Sequence, residues 1–418
     1  MARLLYSALY YLLLPLVFAR LWRRAAKVPA YRKRWSERLG RPVCKIEPDQ
    51  PLLWIHAVSV GESMAAEALT NALRQQCPDI QVLVTTTTPT GSELVQKWSR
   101  PVLHQYMPVD LSPMLTPLFD AYRPRVLVLM ETEVWPNLVA IAQSRNVPVV
   151  LANGRLSEKS ARGYNRFPAL TRPAFAGLSH VLAQAPADAA RFEALGAPSV
   201  EVVGSIKYDI AVDGQTQARL EDLKQWVTKR RVIVAGSTHS GEEDLILDVV
   251  TQLRQVYPEL LLVLAPRHPD RFNEVSKKLE LRGIDYCRRS AGQTPQRKQA
   301  VWLLDTLGEL SMFYGLADIA LVGGSWNPRG SHNPLEPVLF GVPVITGESV
   351  FNFAAINDAL LNAGALQRVS KTGLSKALLL WLKDDAARQQ AGEAGRRVLA
   401  ENQGATKRQA ALIAQRLL

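Results

Sequence analysis

Beyond residue 50 the hydrophobic positions fall into short runs of strand length, each separated from the next by a stretch with helical spacing. In the first half the apolar runs are 52–57, 80–85, 126–130, 147–152, 180–184 and 200–203. Helical patterns follow three of them, at 63–76, 90–98 and 137–144. The runs are continuous rather than alternating, which marks strands covered on both faces, and strand–helix alternation builds a parallel sheet. A polar stretch, 209–225, interrupts the series, and the pattern then restarts. Strands are expected at 231–235, 260–265, 301–304, 319–322 and 343–346, with helices at 242–256, 271–282, 307–315 and 335–340. The segment 374–418 reads as mostly helical. The expected class is α/β, with two doubly wound domains joined near residues 205–225.

Ligands of such sheets gather at the carboxyl ends of the strands. The residues to read are therefore 56–62, 85–91, 131–135, 153–155 and 204–207 in the first half. In the second half they are 236–238, 267–268, 306–309 and 323–336. Polar residues and glycines cluster at nearly all of them. The most telling stretch is 323–337, Gly-Gly-Ser-Trp-Asn-Pro-Arg-Gly-Ser-His-Asn-Pro-Leu-Glu-Pro. It predicts a strand, a glycine-rich turn and a helix start, with Asn333 as N-cap, Pro334 at the first helical position and Glu336 at the third. Backbone N–H groups there suit a phosphate, and a carboxylate suits two ribose hydroxyls.

Charge changes the picture at one end only. The chain has 418 residues and a net charge of +12. Residues 1–50 hold 11 Lys/Arg and 3 Asp/Glu, a net +8, which leaves +4 for the rest. A broad nucleic-acid-binding surface is not favoured. Residues 4–22 are almost wholly apolar, near the length of a bilayer span, and Arg20, Arg23, Arg24, Lys27, Arg32, Lys33 and Arg34 follow. A membrane anchor over residues 1–27 with the rest of the chain in the cytoplasm fits the positive-inside rule. A cleaved signal would want its charges before the apolar run, and only Arg3 is there. A buried or interfacial helix is the other reading, because Pro15 and the tyrosines interrupt a clean span. Cys44, Cys77 and Cys287 are scattered and suit reduced thiols.

Candidate chemistry sits at the strand ends. Glu62, after Ser59-Val60-Gly61, is either a first-turn acid serving the helix dipole or a general base. The dipole lowers its pKa unless burial offsets it. Glu131 and Glu133 flank Thr132 and share a side if their strand continues. Two carboxylates without a nearby His or Asp are a weak metal signal, and no Asp-x-Asp occurs in the chain. Lys207, Arg267 and His268 are then candidates for holding an anion. The segment 236–241 lacks the Gly-Lys-Ser/Thr ending of a P-loop, and no Gly-x-Ser-x-Gly elbow is present.

Taken in order, these segments resemble one family. They are His56-Ala-Val-Ser-Val-Gly-Glu62, Thr85-Thr-Thr-Thr-Pro-Thr-Gly91, Glu131-Thr-Glu-Val-Trp-Pro-Asn137, Asn153-Gly-Arg-Leu-Ser157, Ala235-Gly-Ser-Thr-His239, Arg267-His-Pro269 and 323–337. The chain resembles, over nearly its whole length, the 3-deoxy-D-manno-octulosonic acid (Kdo) transferases of lipopolysaccharide synthesis. One departure is Ser331, where the family often has a second glycine. The resemblance implies a GT-B glycosyltransferase, two Rossmann-like domains facing a cleft, with acceptor domain 28–208 and donor domain 209–418. The last helices of the donor domain can cross back to the first. It implies CMP-Kdo as donor, a lipid A precursor as acceptor and work at the cytoplasmic face of the inner membrane; the missing Asp-x-Asp argues against a divalent ion, and neither metal nor cofactor is expected. It places the catalytic base on Glu62 and transition-state support on Glu131 and Lys207. It places CMP contacts on Arg267, His268, Gly308, Glu309, Leu310, Asn333, Pro334, Leu335 and Glu336. Two alternatives stay open: another GT-B lipid glycosyltransferase using a different nucleotide sugar, and a membrane-tethered nucleotide-binding protein without transfer activity.

Overall fold

In a computed structural model the described residues are 1–26 and 28–417; Lys27 and Leu418 lie outside them. The chain forms two compact units, residues 1–209 with 402–418, and residues 210–401. Each is built on a seven-stranded parallel sheet, and each matches the doubly wound plan expected from the hydrophobic runs.

In the first unit the strands are β1 Leu52–His56, β2 Gln81–Thr86, β3 Leu103–Tyr106, β4 Val126–Met130, β5 Val149–Gly154, β6 His180–Ala183 and β7 Val200–Val202. Their order is β3-β2-β1-β4-β5-β6-β7. Strands β1, β4 and β5 are buried along their whole length, so both faces carry hydrophobic cores. One face is closed by helices Val60–Gln76 and Ala405–Leu417. The second of these brings Ala410, Ile413, Ala414 and Leu417 from the C-terminus into the first unit's core. The two helices pack closely against each other, and Ala65 and Ala66 of the first share that core.

In the second unit the strands are β8 Val232–Thr238, β9 Leu261–Pro266, β10 Tyr286–Arg288, β11 Val301–Leu303, β12 Ile319–Val322, β13 Val344–Thr346 and β14 Leu366–Arg368. Their order is β10-β11-β9-β8-β12-β13-β14. The polar stretch 209–225 contains a helix, Gly214–Lys224, where none was expected. Asp213 caps it by accepting from Thr216 N at 2.7 Å, and only Leu220 and Leu223 are buried, too narrow a stripe to read as helical.

The helix Ala2–Ala25 is continuous through Pro15 and belongs to the first unit. It is long and apolar enough to cross a membrane, and none of its 18-residue apolar window is buried.

Candidate active site

Strand order reverses between β1 and β4 in the first unit and between β8 and β12 in the second. Crevices at such switch points are where open α/β sheets bind ligands. The loops after these strands carry Glu62, Glu131 and Asn333–Glu336, while Lys207 follows β7, Arg267 and His268 follow β9, and Gly308–Leu310 follow β11.

After β1, Ser59 is extended (φ −106°, ψ 168°) and caps the helix Val60–Gln76. Its Oγ accepts from Glu62 N at 3.3 Å. The Glu62 carboxylate reaches back: Oε2 accepts from Val58 N at 2.8 Å and Oε1 from Ser59 Oγ at 2.7 Å. This is a capping box shifted by one donor. Glu62 is only 8% exposed. Burial pushes its carboxyl up to about 7, outweighing the hydrogen bonds from Ser59 and Val58, and the charges of Glu133 and Glu131 add to the rise. Burial therefore offsets the dipole.

His56, at the end of β1, is fully buried with Nδ1 3.0 Å from Thr85 Oγ1 and its ring edge-on to Trp135. Burial pulls it down to about 4, so it is neutral near pH 7.

Strand β4 ends at Met130, and Glu131 takes a left-handed backbone (φ 54°). The alternation that would align Glu131 with Glu133 therefore does not apply, and the two take different partners. Glu133 accepts from Trp135 Nε1 at 2.8 Å. Glu131 pairs with Lys207, Nζ to Oε1 at 3.2 Å, with Arg155 at 3.9 Å.

Lys207 stands on the 3₁₀ turn Ile206–Tyr208 after β7. That turn is held from three sides. Asn153 Oδ1 accepts from Ile206 N at 3.1 Å. Gln409, from the C-terminal helix, accepts from Asn153 N at 2.8 Å and donates to Gly204 O at 3.2 Å. Asp209 accepts from Thr406 N at 2.6 Å and from Gly404 N. Gln409 is fully buried and was not singled out by sequence. The available signal was a glutamine on the otherwise apolar stripe of 410, 413, 414 and 417.

In the second unit a Cβ on Gly323 would collide with Ser237 O, so the end of β8 and the turn after β12 touch only because residue 323 is glycine, and Gly324 beside it is left-handed (φ +75°). Glu242, 1% exposed, joins them. Its carboxylate accepts from His239 N (2.9 Å), Gly324 N (2.8 Å) and Trp326 N (2.9 Å). From the sequence Glu242 shows only as the first residue of a helix.

Arg267, His268, His239, His332 and Glu336 come together beside these turns. His239 and His332 share a hydrogen bond between Nε2 atoms at 2.9 Å, and the His268 ring lies 5.4 Å from that of His239. Burial first, then Arg329 for His239 and Arg267 for His332, pulls both down to about 4. Burial raises the Glu336 carboxyl, opposed by Arg267 and by a hydrogen bond with Asn333.

The helix after residue 333 is Leu335–Leu339, so Pro334 stands at its N-cap, one residue later than expected. Asn333 Oδ1 still accepts from Leu335 N at 3.1 Å. Five residues sum a small dipole, which shifts the work of holding an anion towards Arg267, the histidines and the loop N–H groups. Ser331 is buried and donates its Oγ to His332 O, so the turn accommodates it without a glycine.

Gly308 (φ +81°) and Glu309 follow β11. The Glu309 carboxylate is already committed to Arg219 at 2.6 Å and Arg289 at 2.9 Å, with Arg289 holding it below the usual range. Leu310 opens the helix Leu310–Tyr314, which crosses over Gly236 so closely that a Cβ there would collide with Tyr314 Oη. Among the described residues no three His, Cys, Asp or Glu side chains are grouped to hold a metal ion.

Residues 33–210 match the family described as 3-Deoxy-D-manno-octulosonic-acid transferase (kdotransferase). The chain is 38% identical to a 3-deoxy-D-manno-octulosonic acid transferase of Haemophilus influenzae over 414 residues, 98% of this chain and 97% of that one. It is 38% identical to the Bordetella pertussis protein of the same name over 410 residues, 95% of each. In fold it is similar to a glycosyltransferase from Rickettsia africae, with a TM-score of 0.57 at 12% identity, covering 88% of this chain and 99% of that one. With two doubly wound units of the GT-B type, this glycosyltransferase belongs to the 3-deoxy-D-manno-octulosonic acid transferase family.

Proposed function

We propose that the chain moves Kdo from CMP-Kdo to a lipid A precursor, lipid IVA, with inversion and without a metal ion, at the cytoplasmic face of the inner membrane. Glu62 takes the proton from an acceptor hydroxyl. That oxygen forms its bond to the anomeric carbon of Kdo as the bond from that carbon to the phosphate oxygen breaks. CMP leaves with the electron pair. The observation that carries the reading is Glu62 itself, a carboxylate at a sheet switch point, pushed to about 7 by burial. A base with that pKa is half ionised near neutrality, where general-base catalysis is most effective.

Lys207, aimed by its pair with Glu131, supports the charge that develops as the bond breaks. In the second unit Arg267 and His268 meet the phosphate, and Glu336 accepts from the ribose hydroxyls. The Gly308–Leu310 turn and Asn333–Leu335 complete the nucleotide contacts through backbone groups, since the Glu309 carboxylate is occupied by two arginines. Preorganised cations suit a leaving phosphate.

The test is to incubate the protein with CMP-Kdo and lipid IVA and follow the lipid by mass spectrometry. Gain of Kdo, undiminished by a chelator, is expected. No gain, or gain abolished by chelation and restored by a divalent ion, would overturn the proposal in whole or in its metal-free part.

A further inference from the structure

The N-terminal helix meets the first unit along its whole length. Tyr6 Oη donates to Asp110 at 3.1 Å, and Ser7 Oγ accepts from Asn137 Nδ2 at 3.0 Å. Near the other end the Phe18 ring packs edge-on to Trp35 at 5.4 Å, and Ala25 is buried. Between them Tyr10, Leu14 and Leu21 are partly covered, so covered positions recur every three to four residues on one face. The helix also packs against the helix Pro168–Ala176.

This geometry is incompatible with a helix that crosses a bilayer. At 1.5 Å per residue, Tyr6 lies about 28 Å along the axis from Ala25. In a spanning helix Tyr6 would reach the far side of the membrane, yet here it bonds to the same globular unit that holds Ala25. The face turned away from the unit is apolar: Leu5 is 73% exposed, Leu12 75% and Leu16 65%. Phe167, at the N-cap of the supporting helix, is 67% exposed. Arg20, Arg23 and Arg24 at the helix end, then Arg32 and Lys33, are exposed cations.

We infer that the helix Ala2–Ala25 lies in the plane of the membrane, its leucine face sunk into an anionic phospholipid surface, and does not span it. An apolar face flanked by Arg and Lys is the signature of interfacial binding to anionic lipid. The inference rests on the proposal that the protein works at a membrane, and adds that the whole chain stays on one side.

The test uses full-length Arg3→Cys protein in membrane vesicles whose outer face carries the globular units, as judged by protease digestion. The unsubstituted chain sets the background of its native cysteines. An impermeant maleimide is added with and without detergent. The in-plane helix gives full labelling of Cys at position 3 without detergent. Protection that detergent relieves would show a spanning helix and overturn the inference. Recovery of the protein free of membrane would instead overturn the membrane reading beneath it. As a second variant, Leu12→Glu with Leu16→Glu is expected to release the protein from vesicles containing anionic lipid while leaving Tm unchanged. Retention would count against the leucine face as the lipid contact.

Discussion

Glu62 and Glu242 occupy the same place in two similar sheets. Each stands in the first turn of the helix that follows the first strand at its unit's switch point. Each is buried, and burial raises the carboxyl of each. They differ in what surrounds the carboxylate. Glu242 accepts from three backbone N–H groups on two turns and is 1% exposed. Glu62 accepts from one backbone N–H and one hydroxyl, and keeps 8% exposure. A carboxylate saturated by backbone donors is a structural keystone. One held by fewer donors, with an edge open to solvent, can take a proton from outside.

Substitution should separate the two. Glu62→Gln keeps the shape, accepts from Val58 N through its amide oxygen and can donate to Ser59 Oγ in place of accepting from it, but loses the base. We expect a fall of roughly 10²–10⁴-fold in the transfer rate, with Tm and CMP affinity unchanged, read by single-turnover kinetics and calorimetry. Glu242→Ala should act the other way. It leaves three buried N–H groups unpaired, at about 1–3 kcal/mol each when unsatisfied, so a large drop in Tm and loss of CMP binding are expected. If Glu242→Ala held CMP normally, the keystone role would be wrong.

A smaller effect is expected where the first unit aims its cation. Lys207→Ala should lower the transfer rate by about 10²-fold, as loss of one preorganised charge does. Gln409→Leu fills the same space without bonding Asn153 or Gly204. It should reduce kcat by about tenfold, the scale of a modest misplacement, with both KM values unchanged. In a Lys207→Ala background the Gln409→Leu penalty should vanish. Persistence there would mark Gln409 as a stability residue only.

The same contrast between local and distant partners explains what could be read from the chain. Val126–Met130 and Ile319–Val322 were legible to the residue, because central strands are apolar on both faces. Leu103–Tyr106, Tyr286–Arg288 and Leu366–Arg368 were not. They are edge strands, three or four residues long and carrying His, Gln or Arg, as a one-sided strand allows. Glu62, Glu131, Lys207, Arg267 and His268 could be singled out as candidates because each follows a strand or opens a helix. Their partners could not. Gln409 meets Asn153 across 256 positions and His239 meets His332 across 93, and neither pairing leaves a local pattern. The left-handed Glu131, which breaks the strand alternation, was equally hidden, since glutamate rarely adopts that conformation.

The central claim is that Glu62 is the base, and its protonation sets the pH response. A carboxyl raised to about 7 is protonated and inactive below that value and ionised above it. The single-turnover transfer rate at saturating donor should therefore rise with pH to a plateau, with a midpoint near 7. The same profile in Glu62→Gln should lose that rise. A rate that is flat across this range in the unsubstituted protein, or a Glu62→Gln variant that retains the rise, would contradict the account.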